Sequence, residues 1–387
     1  MEQPDANPQQ PRPVHLMTRA RILVVRMGDM GDALLAAPML RALRQRYPAA
    51  RIDALLSANG AALLGECPHI DSAYIFPAGA VRAAGVNVRD VPRLARLLAD
   101  LRAVHYDVVI FANHLTLQSG RRWRWALALA LNPWLTVGLD NGHGAFLKLR
   151  VPDAGFGARR EVEYALALAE ALDARLPATE RQPRLSDLGW PDIRPAASWQ
   201  AGEPLRVVLH PGSGAYSLAR RWPATRWAQL ARTLRLEFGA TVELVGGLEE
   251  RELADSITEA LGEPDWVRNR AGATTPRELA ETLAAAQLFI GNDSLPMHLA
   301  TAAGIPVIAI FGPSNARAWG PYAPDEPDRV AVIRRTDLPC SPCIYRGHDL
   351  GTPQGCPPRS CLTELEIGPA LIAARRLLRR ARAEPRA

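Results

Sequence analysis

Short apolar runs alternate with stretches of helical period along most of the chain, and this alternation limits the fold more than any other feature. Run length and β-branched content predict the strands. They span residues 21–25, 52–56, 73–76 and 106–111 in the first half, and 206–210, 242–245, 266–269, 288–290, 307–311 and 330–333 in the second. Strands that alternate with helices predict parallel, doubly wound sheets. A chain of 387 residues has room for two such α/β domains.

A stretch rich in proline, aspartate and serine, from Leu176 to Glu203, separates the two sets of strands and is interpreted as the interdomain linker. The amino terminus is rich in Pro and Gln and has no apolar core of a signal peptide, so a disordered tail is expected there. The predicted division is a tail at 1–19, a first domain at 20–185, a linker at 186–204, a second domain at 205–367, and a basic helix and tail at 368–387.

The stretch from Leu288 to Phe311 contains the strongest functional signal. A short apolar run ends in Gly-Asn-Asp-Ser, a helix opens with Pro296 near its first turn, and an apolar strand follows. Open α/β sheets bind ligands at the carboxyl ends of their strands. The free N–H groups and the dipole of a helix amino terminus favour a phosphate or diphosphate there. The alternative is that Asp293 and Ser294 only cap the helix.

Two further loops follow predicted strands of the second half. In His210-Pro211-Gly212-Ser213-Gly214 the glycines allow close approach of a ligand, and Ser213 offers a hydroxyl and an N–H. Arg220, a few residues on, can make two charge-assisted hydrogen bonds to a phosphate, unless it is simply an exposed base. An acid in or just past Gly246-Gly247 could accept ribose hydroxyls, unless it only pairs along a charged helix.

In the first half, Asp32 follows Gly31 at the turn after the first strand. A carboxylate at this place could take a proton from an acceptor hydroxyl. The alternative is that Asp29 and Asp32 cap the first helix.

In order along the chain, these motifs resemble glycosyltransferase family 9, the ADP-heptose:lipopolysaccharide heptosyltransferase-like enzymes. The resemblance covers about residues 20–370 and is carried by four marks. They are Arg26…Gly31-Asp32 with Pro38; His210-Pro211-Gly212-Ser213 leading to Arg220-Arg221-Trp222-Pro223; Gly246-Gly247 with acids after it; and Asn292-Asp293-Ser294-Leu295-Pro296-Met297-His298-Leu299-Ala300 running into Gly304-Ile305-Pro306.

The resemblance implies a GT-B type fold, in which two Rossmann-like domains face each other across a cleft. The first domain would bind the acceptor and the second the nucleotide sugar. Such enzymes invert the anomeric centre and need no metal for transfer. Asp32 then matches the catalytic base, Arg220 neutralises the donor phosphates, and Glu252 is chosen for the adenosine ribose. The donor-binding set would be Ser213, Gly214, Glu252, Asp293, Ser294, Leu295, Pro296, Met297 and His298.

Three departures from the family pattern keep the function open. Arg220 replaces a usual lysine, Leu295 stands where glycine is common, and Gly28-Asp29 replaces small hydroxyl residues. The expected function is transfer of a heptose-like sugar from ADP-heptose to a lipopolysaccharide core or related glycan. The alternatives are another nucleotide-sugar donor, a protein acceptor, or an inactive nucleotide-sugar-binding scaffold.

Four cysteines, Cys340, Cys343, Cys356 and Cys361, form a C-x2-C-x12-C-x4-C pattern. Clustered cysteines in a cytoplasmic chain suggest a structural metal, either zinc or iron. Some relatives that glycosylate proteins carry a four-cysteine iron finger. The alternative is that these cysteines bind no metal.

The expected location is the cytoplasm, because no export signal or membrane-length apolar stretch is present. The net charge of +6 suggests anionic partners without choosing among them. Arginines and tryptophans in residues 119–134 suggest peripheral contact with the inner membrane, and the alternative is a surface helix with inward tryptophans. No nucleic-acid partner is expected.

Overall fold

The computed structural model describes residues 11–77, 81–82, 85–86, 90–196 and 204–383. The chain forms two compact units. The first unit comprises residues 1–155 and 161–181, and the second comprises residues 156–160 and 182–387. Parts of the predicted tail and linker, residues 1–10 and 197–203, lie outside the described residues.

The first unit is a parallel sheet with flanking helices, as predicted, but it has six strands rather than the expected four. Its elements in chain order are β1 (Arg21–Arg26), α1 (Met30–Arg46), β2 (Arg51–Leu56), α2 (Ala58–Leu64), β3 (Ser72–Ile75), β4 (Val81–Arg82), β5 (Gly85–Val86), α3 (Val91–Val104), β6 (Val108–Phe111), α4 (Gln118–Leu131), β7 (Leu135–Asp140), β8 (Leu149–Pro152) and α5 (Glu161–Glu170). The sheet order is β3-β2-β1-β6-β7-β8, and the short β4 and β5 pair separately and antiparallel.

The second unit repeats this architecture. Its elements are β9 (Arg206–His210), α6 (Ala224–Phe238), β10 (Thr241–Leu244), α7 (Arg251–Leu261), β11 (Val267–Asn269), α8 (Pro276–Ala284), β12 (Leu288–Asn292), α9 (Leu295–Ala302), β13 (Val307–Ile310), α10 (Ala316–Trp319), β14 (Val330–Ile333), α11 (Ser360–Thr363) and α12 (Gly368–Ala383). The sheet order is β11-β10-β9-β12-β13-β14, with every pair parallel.

In each six-stranded sheet the order in which strands are added reverses at one place, and the candidate site residues lie at these two places. In the first unit the reversal lies between β1 and β6, and in the second between β9 and β12. Gly291 pairs with His210 near the carboxyl ends of β12 and β9. A crevice opens outside the strand ends at such a switch point, because the two crossovers leave in opposite directions.

Burial of apolar side chains around each sheet explains why these strands form. All four residues of β6 and of β13 are buried, as expected for parallel strands covered by helices on both faces. In the second unit Trp222 and Trp227 are fully buried and meet edge to face, with ring centroids 5.2 Å apart. This pair anchors the start of α6 beside the switch point.

Two features of the first unit differ from expectation. The strands β7 and β8 extend its sheet and were not predicted. Part of the expected tail is ordered, because the Val14 N–H donates to the Ala171 carbonyl at 2.9 Å and the Leu16 N–H donates to the Tyr47 hydroxyl at 3.3 Å. Among the described residues, no helix combines the length and apolar character needed to cross a bilayer.

Candidate functional site

Two loops of the second unit, those after β9 and β12, meet at Arg220. Its Nη1 donates to the Asp293 carbonyl at 2.9 Å and lies 3.3 Å from the Asp293 carboxylate, while its Nη2 donates to the Ser213 carbonyl at 2.7 Å. The guanidinium also lies over the ring of Tyr216, 5.8 Å from its centroid. The Nε–H is buried and has no partner among the described residues. Arg220 is therefore a fixed cation where the loops after β9 and β12 converge, rather than an exposed base.

Asn292, at the end of β12, connects the same two loops by hydrogen bonds. Its side-chain amide donates to the carbonyls of Pro211 at 2.8 Å and Gly212 at 3.1 Å. The Asn292 side chain is fully buried. Because a buried amide has to satisfy its donors, this contact fixes the loop after β9 against the turn that precedes α9. Asn292 lies within the quoted motif, but sequence reasoning gave it no role.

Glu250 binds the backbone of the two glycine-containing loops after β9 and β10, a role that the sequence analysis did not predict. Its Oε1 accepts hydrogen bonds from the N–H groups of Ser213 at 2.6 Å and Gly214 at 2.8 Å, and its Oε2 accepts from Gly247 at 3.0 Å. The Nε2 of His210 lies 3.0 Å from the same oxygen. The hydrogen bonds from His210 and these amides outweigh burial and hold the pKa of Glu250 well below its usual range.

This arrangement changes the roles expected of Ser213 and Gly214. Both N–H groups are used internally by Glu250, and the Ser213 hydroxyl donates to the Ser217 carbonyl at 2.8 Å. A Cβ on Gly212 would overlap the Glu250 carboxyl group, so the close approach that glycine permits here serves Glu250. Glu252, chosen for the ribose, is exposed in the first turn of α7.

The amino terminus of α9 supplies the other half of the second-unit site. Ser294 is the N-cap residue and its side chain makes no cap hydrogen bond, so capping does not account for it. Ser294 and Leu295 are half-buried, whereas Pro296 and Met297 are buried. Pro296 has no N–H, and the Met297 N–H donates to the Ser294 carbonyl at 3.2 Å, so Leu295 is the first-turn residue whose N–H has no acceptor within the helix. The end of α9 beside Arg220 is thus an electropositive place suited to an anion.

His298, one turn into α9, is buried and neutral. Burial is the main cause that lowers its pKa to about 4; Asp293 partly opposes burial, and the charge of Arg220 adds to it. A neutral imidazole can donate one hydrogen bond and accept another. The structure therefore brings Ser213, Arg220, Asp293 and His298 together in one unit.

Asp32 lies in the first unit, in the first turn of α1. Its Oδ1 lies 2.8 Å from Nη2 of Arg26, and its Oδ2 accepts from the Asp29 N–H at 3.0 Å, so it also caps the helix. Burial raises the pKa of Asp32, and the negative charge of Glu161 adds to burial against the effect of Arg26. Gly28 has φ +140°, and a Cβ there would come within 2.5 Å of the Asp32 carboxyl. Asp32 is thus a carboxylate with raised proton affinity at a switch point.

The four cysteines do not form the predicted zinc or iron site. All four are free, and the described residues contain no group of three or more side chains able to hold a metal ion. Cys340 and Cys356 are exposed, whereas Cys361 packs in the apolar core of the second unit. Burial, followed by the neighbouring thiols of Cys343, Cys356 and Cys340, raises the pKa of Cys361 to about 11. As the described residues stand, the four thiols therefore lie near one another without forming a metal site.

The aromatic and basic segment forms α4, and its two central tryptophans point in different directions. Trp123 packs on Phe76, with ring centroids 4.8 Å apart, as the surface-helix alternative expects. Trp125 and Leu129 are 55% and 65% exposed, and Trp134 just past the helix is 62% exposed. Since Trp125 and Leu129 are four residues apart, they share one face of α4.

Comparisons with known proteins agree with this geometry. Residues 94–352 match the sequence profile of glycosyltransferase family 9 (heptosyltransferase). Lipopolysaccharide heptosyltransferase 2 of Salmonella typhimurium is 26% identical over 81% of this chain and 88% of its own length. The solved structure of the E. coli ADP-heptose lipopolysaccharide heptosyltransferase II gives a TM-score of 0.66 at 23% identity, covering 93% of this chain and 99% of that one.

A more distant solved structure is the iron-containing dodecameric glycosyltransferase TibC from enterotoxigenic E. coli. It gives a TM-score of 0.53 at 15% identity and covers 95% of this chain and 80% of that one. At this identity the likeness concerns the fold alone. Together with the two parallel sheets, the structural comparisons confirm the predicted GT-B type, two-domain Rossmann-like class.

Proposed function

We propose that this chain, which belongs to glycosyltransferase family 9, the heptosyltransferases, transfers a heptose-like sugar from ADP-heptose to a lipopolysaccharide core or related glycan. Membership confirms the resemblance inferred from the motifs and makes the protein a glycosyltransferase. The donor and acceptor are proposed from the names of its relatives, which are lipopolysaccharide heptosyltransferases 1, 2 and 3.

The observation that carries the proposal is the position of Arg220 at the amino terminus of α9. A sugar diphosphate gains negative charge on its leaving group as the glycosidic bond breaks. A guanidinium held by Ser213 and Asp293, beside the amino terminus of α9, can stabilise that charge with little reorganisation. We assign the diphosphate to Arg220 and residues Ser294–Met297, with Asp293 and His298 near the donor sugar and Glu252 as the candidate ribose ligand.

Glu250 adjusts the role of the loop after β9. Because Glu250 uses the Ser213 and Gly214 amides, we propose that these residues shape the donor site mainly through the loop backbone. Ser213 still contributes its carbonyl, which orients Arg220.

Asp32 is the proposed base of the first unit. Its carboxylate would remove the acceptor hydroxyl proton as that oxygen attacks the anomeric carbon from the side opposite to ADP, which inverts the centre. A raised pKa suits this role, because proton affinity closer to neutrality makes a carboxylate a better base. Arg220 and α9 supply positive charge at the leaving group, so we expect transfer to need no metal ion.

The test is a donor and acceptor panel. Purified protein is incubated with ADP-heptose, other nucleotide heptoses and hexoses, and lipid A-core fragments or a protein acceptor, and both ADP release and the product are measured. We expect ADP-heptose with a core fragment to give the highest kcat/KM and a product of inverted anomeric configuration. Transfer from a different donor would replace the donor assignment, and no turnover with any pair would favour an inactive nucleotide-sugar-binding scaffold.

We also propose that the exposed face of α4 contacts an anionic membrane surface, which is where a lipid-linked acceptor would be found. Trp125, Leu129 and Trp134 expose apolar surface, and the exposed Arg122 supplies positive charge beside it. Aromatic side chains flanked by arginine are suited to the interface between lipid head groups and acyl chains.

A further inference from the structure

Three buried titratable groups behind Asp32 have no role in the transfer described so far. His114, just past β6, lies between two carboxylates. Its Nδ1 is 2.8 Å from Oδ2 of Asp153, and its Nε2 is 2.9 Å from Oε1 of Glu161. All three side chains are at most 6% exposed. Burying three ionisable groups is costly unless they pair, so the cluster requires an explanation.

The cluster continues to the proposed base through Arg26. The other carboxylate oxygen of Glu161, Oε2, lies 3.8 Å from Nη2 of Arg26, and the same nitrogen lies 2.8 Å from Oδ1 of Asp32. Arg26 is held rigidly, because its Nη1 donates to the Ala112 carbonyl and its Nε to the Asp32 carbonyl. One guanidinium is therefore shared between Glu161 and Asp32.

We propose that Glu161, oriented by His114, is a positioning residue for transfer that acts on Asp32 through the shared Arg26. This inference rests on the proposed role of Asp32 as the base. Glu161 draws part of the positive charge of Arg26 away from Asp32. His114 in turn fixes the Glu161 carboxylate and compensates its charge.

The charges around the cluster support this role. Burial alone would lower the pKa of His114, but Glu161 and Asp153 outweigh it and raise the pKa to about 9, so the ring is an imidazolium at neutral pH. Arg124 on α4 is also buried near Arg26, and burial followed by the charge of Arg26 lowers its pKa to about 10, which leaves it charged. Two cations, Arg26 and His114, thus lie against the carboxylates of Asp32, Asp153 and Glu161, and Arg124 adds positive charge near Arg26.

The effect on Asp32 has a defined sign. Burial raises the pKa of Asp32, and the negative charges of Glu161 and of the exposed Asp29 carboxylate raise it too. The positive charge of Arg26 and the hydrogen bond from the Asp29 N–H lower it. Removing the charge of Glu161 would leave Arg26 to Asp32 alone. The Asp32 carboxylate would then hold its proton less tightly and be a weaker base.

The pH profile of kcat/KM tests this step. Glu161→Gln keeps the size of the side chain and removes its charge. We expect its acid limb to move to lower pH by roughly half to one unit. The matched control is Asp153→Asn, which alters an equally buried carboxylate on the opposite edge of the His114 ring. Its acid limb should stay at the wild-type pH, although both variants lose a partner of His114.

An acid limb that stays in place in folded Glu161→Gln, or moves equally in Asp153→Asn, overturns the inference. If Glu161→Gln does not fold, the charge of His114 in the unaltered protein decides instead. Nitrogen-15 NMR of labelled histidines should show His114 as an imidazolium through pH 8, and a neutral ring at pH 7.5 overturns the proposal. Asp32→Asn with full turnover would instead remove the premise about the base.

Discussion

Glu250 illustrates how one buried charge can organise several loops. It accepts hydrogen bonds from three backbone amides and lies against His210. Glu250→Gln keeps the shape but places an NH₂ group among donors, so we expect it to lower the free energy of unfolding by about 3 kcal/mol. Urea unfolding measures this. The control Glu252→Gln, in the exposed first turn of α7, should change it by less than about 0.5 kcal/mol.

The lowered pKa of Glu250 also determines how the free energy of unfolding changes with pH. A depressed folded pKa contributes stability that is fully present above the unfolded carboxyl value of about 4.3 and is lost as pH falls through the folded value. Wild-type stability should therefore drop on acidification below about pH 4 more steeply than that of Glu250→Gln. Equal slopes, or equal losses for Glu250→Gln and Glu252→Gln at neutral pH, would contradict this account of Glu250.

Arg220 is the residue proposed to stabilise the negative charge of the leaving diphosphate. Arg220→Met removes the guanidinium and should lower kcat about 100-fold, since one stabilising donor at developing charge contributes that much. Arg220→Lys keeps a point charge and should retain intermediate activity. Steady-state ADP release measures both. The control Arg226→Met removes a half-buried arginine of α6 that pairs with Glu366 and should leave kcat at the wild-type value. Wild-type kcat in Arg220→Met would refute the assignment.

The sequence predicted where individual site residues lie better than it predicted which residues they contact. The position of Asp32 after β1 and of Arg220 after β9 followed from motif spacing. Glu250 was overlooked in favour of Glu252, although a Glu three residues after Gly247 is placed to accept the Gly247 N–H, which is one half of a capping box. The His114–Glu161 contact joins residues 47 apart in sequence, and no local pattern encodes such a tertiary pairing.

At the scale of single elements, hydrophobic pattern predicted the sheets well where strands are buried on both faces. The bounds of β9 and β14 match the expected ones. The strands β7 and β8 were missed because β7 contains Gly138, whereas β8 is short and ends in Pro152; glycine and proline both weaken a strand signal. The cysteine spacing left the choice between a metal site and free thiols open for a similar reason, since spacing carries no information on burial.

The helix α4 provides a prediction of its own. Trp125→Ser combined with Leu129→Ser removes exposed apolar surface and should weaken binding to phosphatidylglycerol vesicles at least tenfold, because each buried side chain contributes about 2 kcal/mol. Vesicle sedimentation at low and high salt measures the loss. Leu236→Ser, an 80% exposed leucine of α6, serves as the control. Unchanged sedimentation of the α4 variant would show that this face does not contact lipid.

At the scale of the whole molecule, the proposed mechanism takes the charge compensation at the donor diphosphate from the protein itself. Transfer should therefore proceed in excess EDTA at the same kcat, and the melting temperature should stay constant, because the four free cysteines form no metal site. Activity assays and calorimetry with and without chelator check both statements. Loss of activity that Mg²⁺ or Mn²⁺ restores would contradict the metal-independent mechanism, and a chelator-dependent fall in melting temperature would restore the metal hypothesis.

The two units divide the chemistry between them, with the proposed base in the first and the proposed donor ligands in the second. Asp32→Asn tests this division most directly, with turnover and donor binding measured on the same preparation and Asp29→Asn as the exposed neighbouring control. The account predicts that Asp32→Asn loses turnover by at least about 100-fold, while calorimetry finds the affinity for ADP-heptose unchanged. Retained turnover, or loss of donor binding together with turnover, would contradict it.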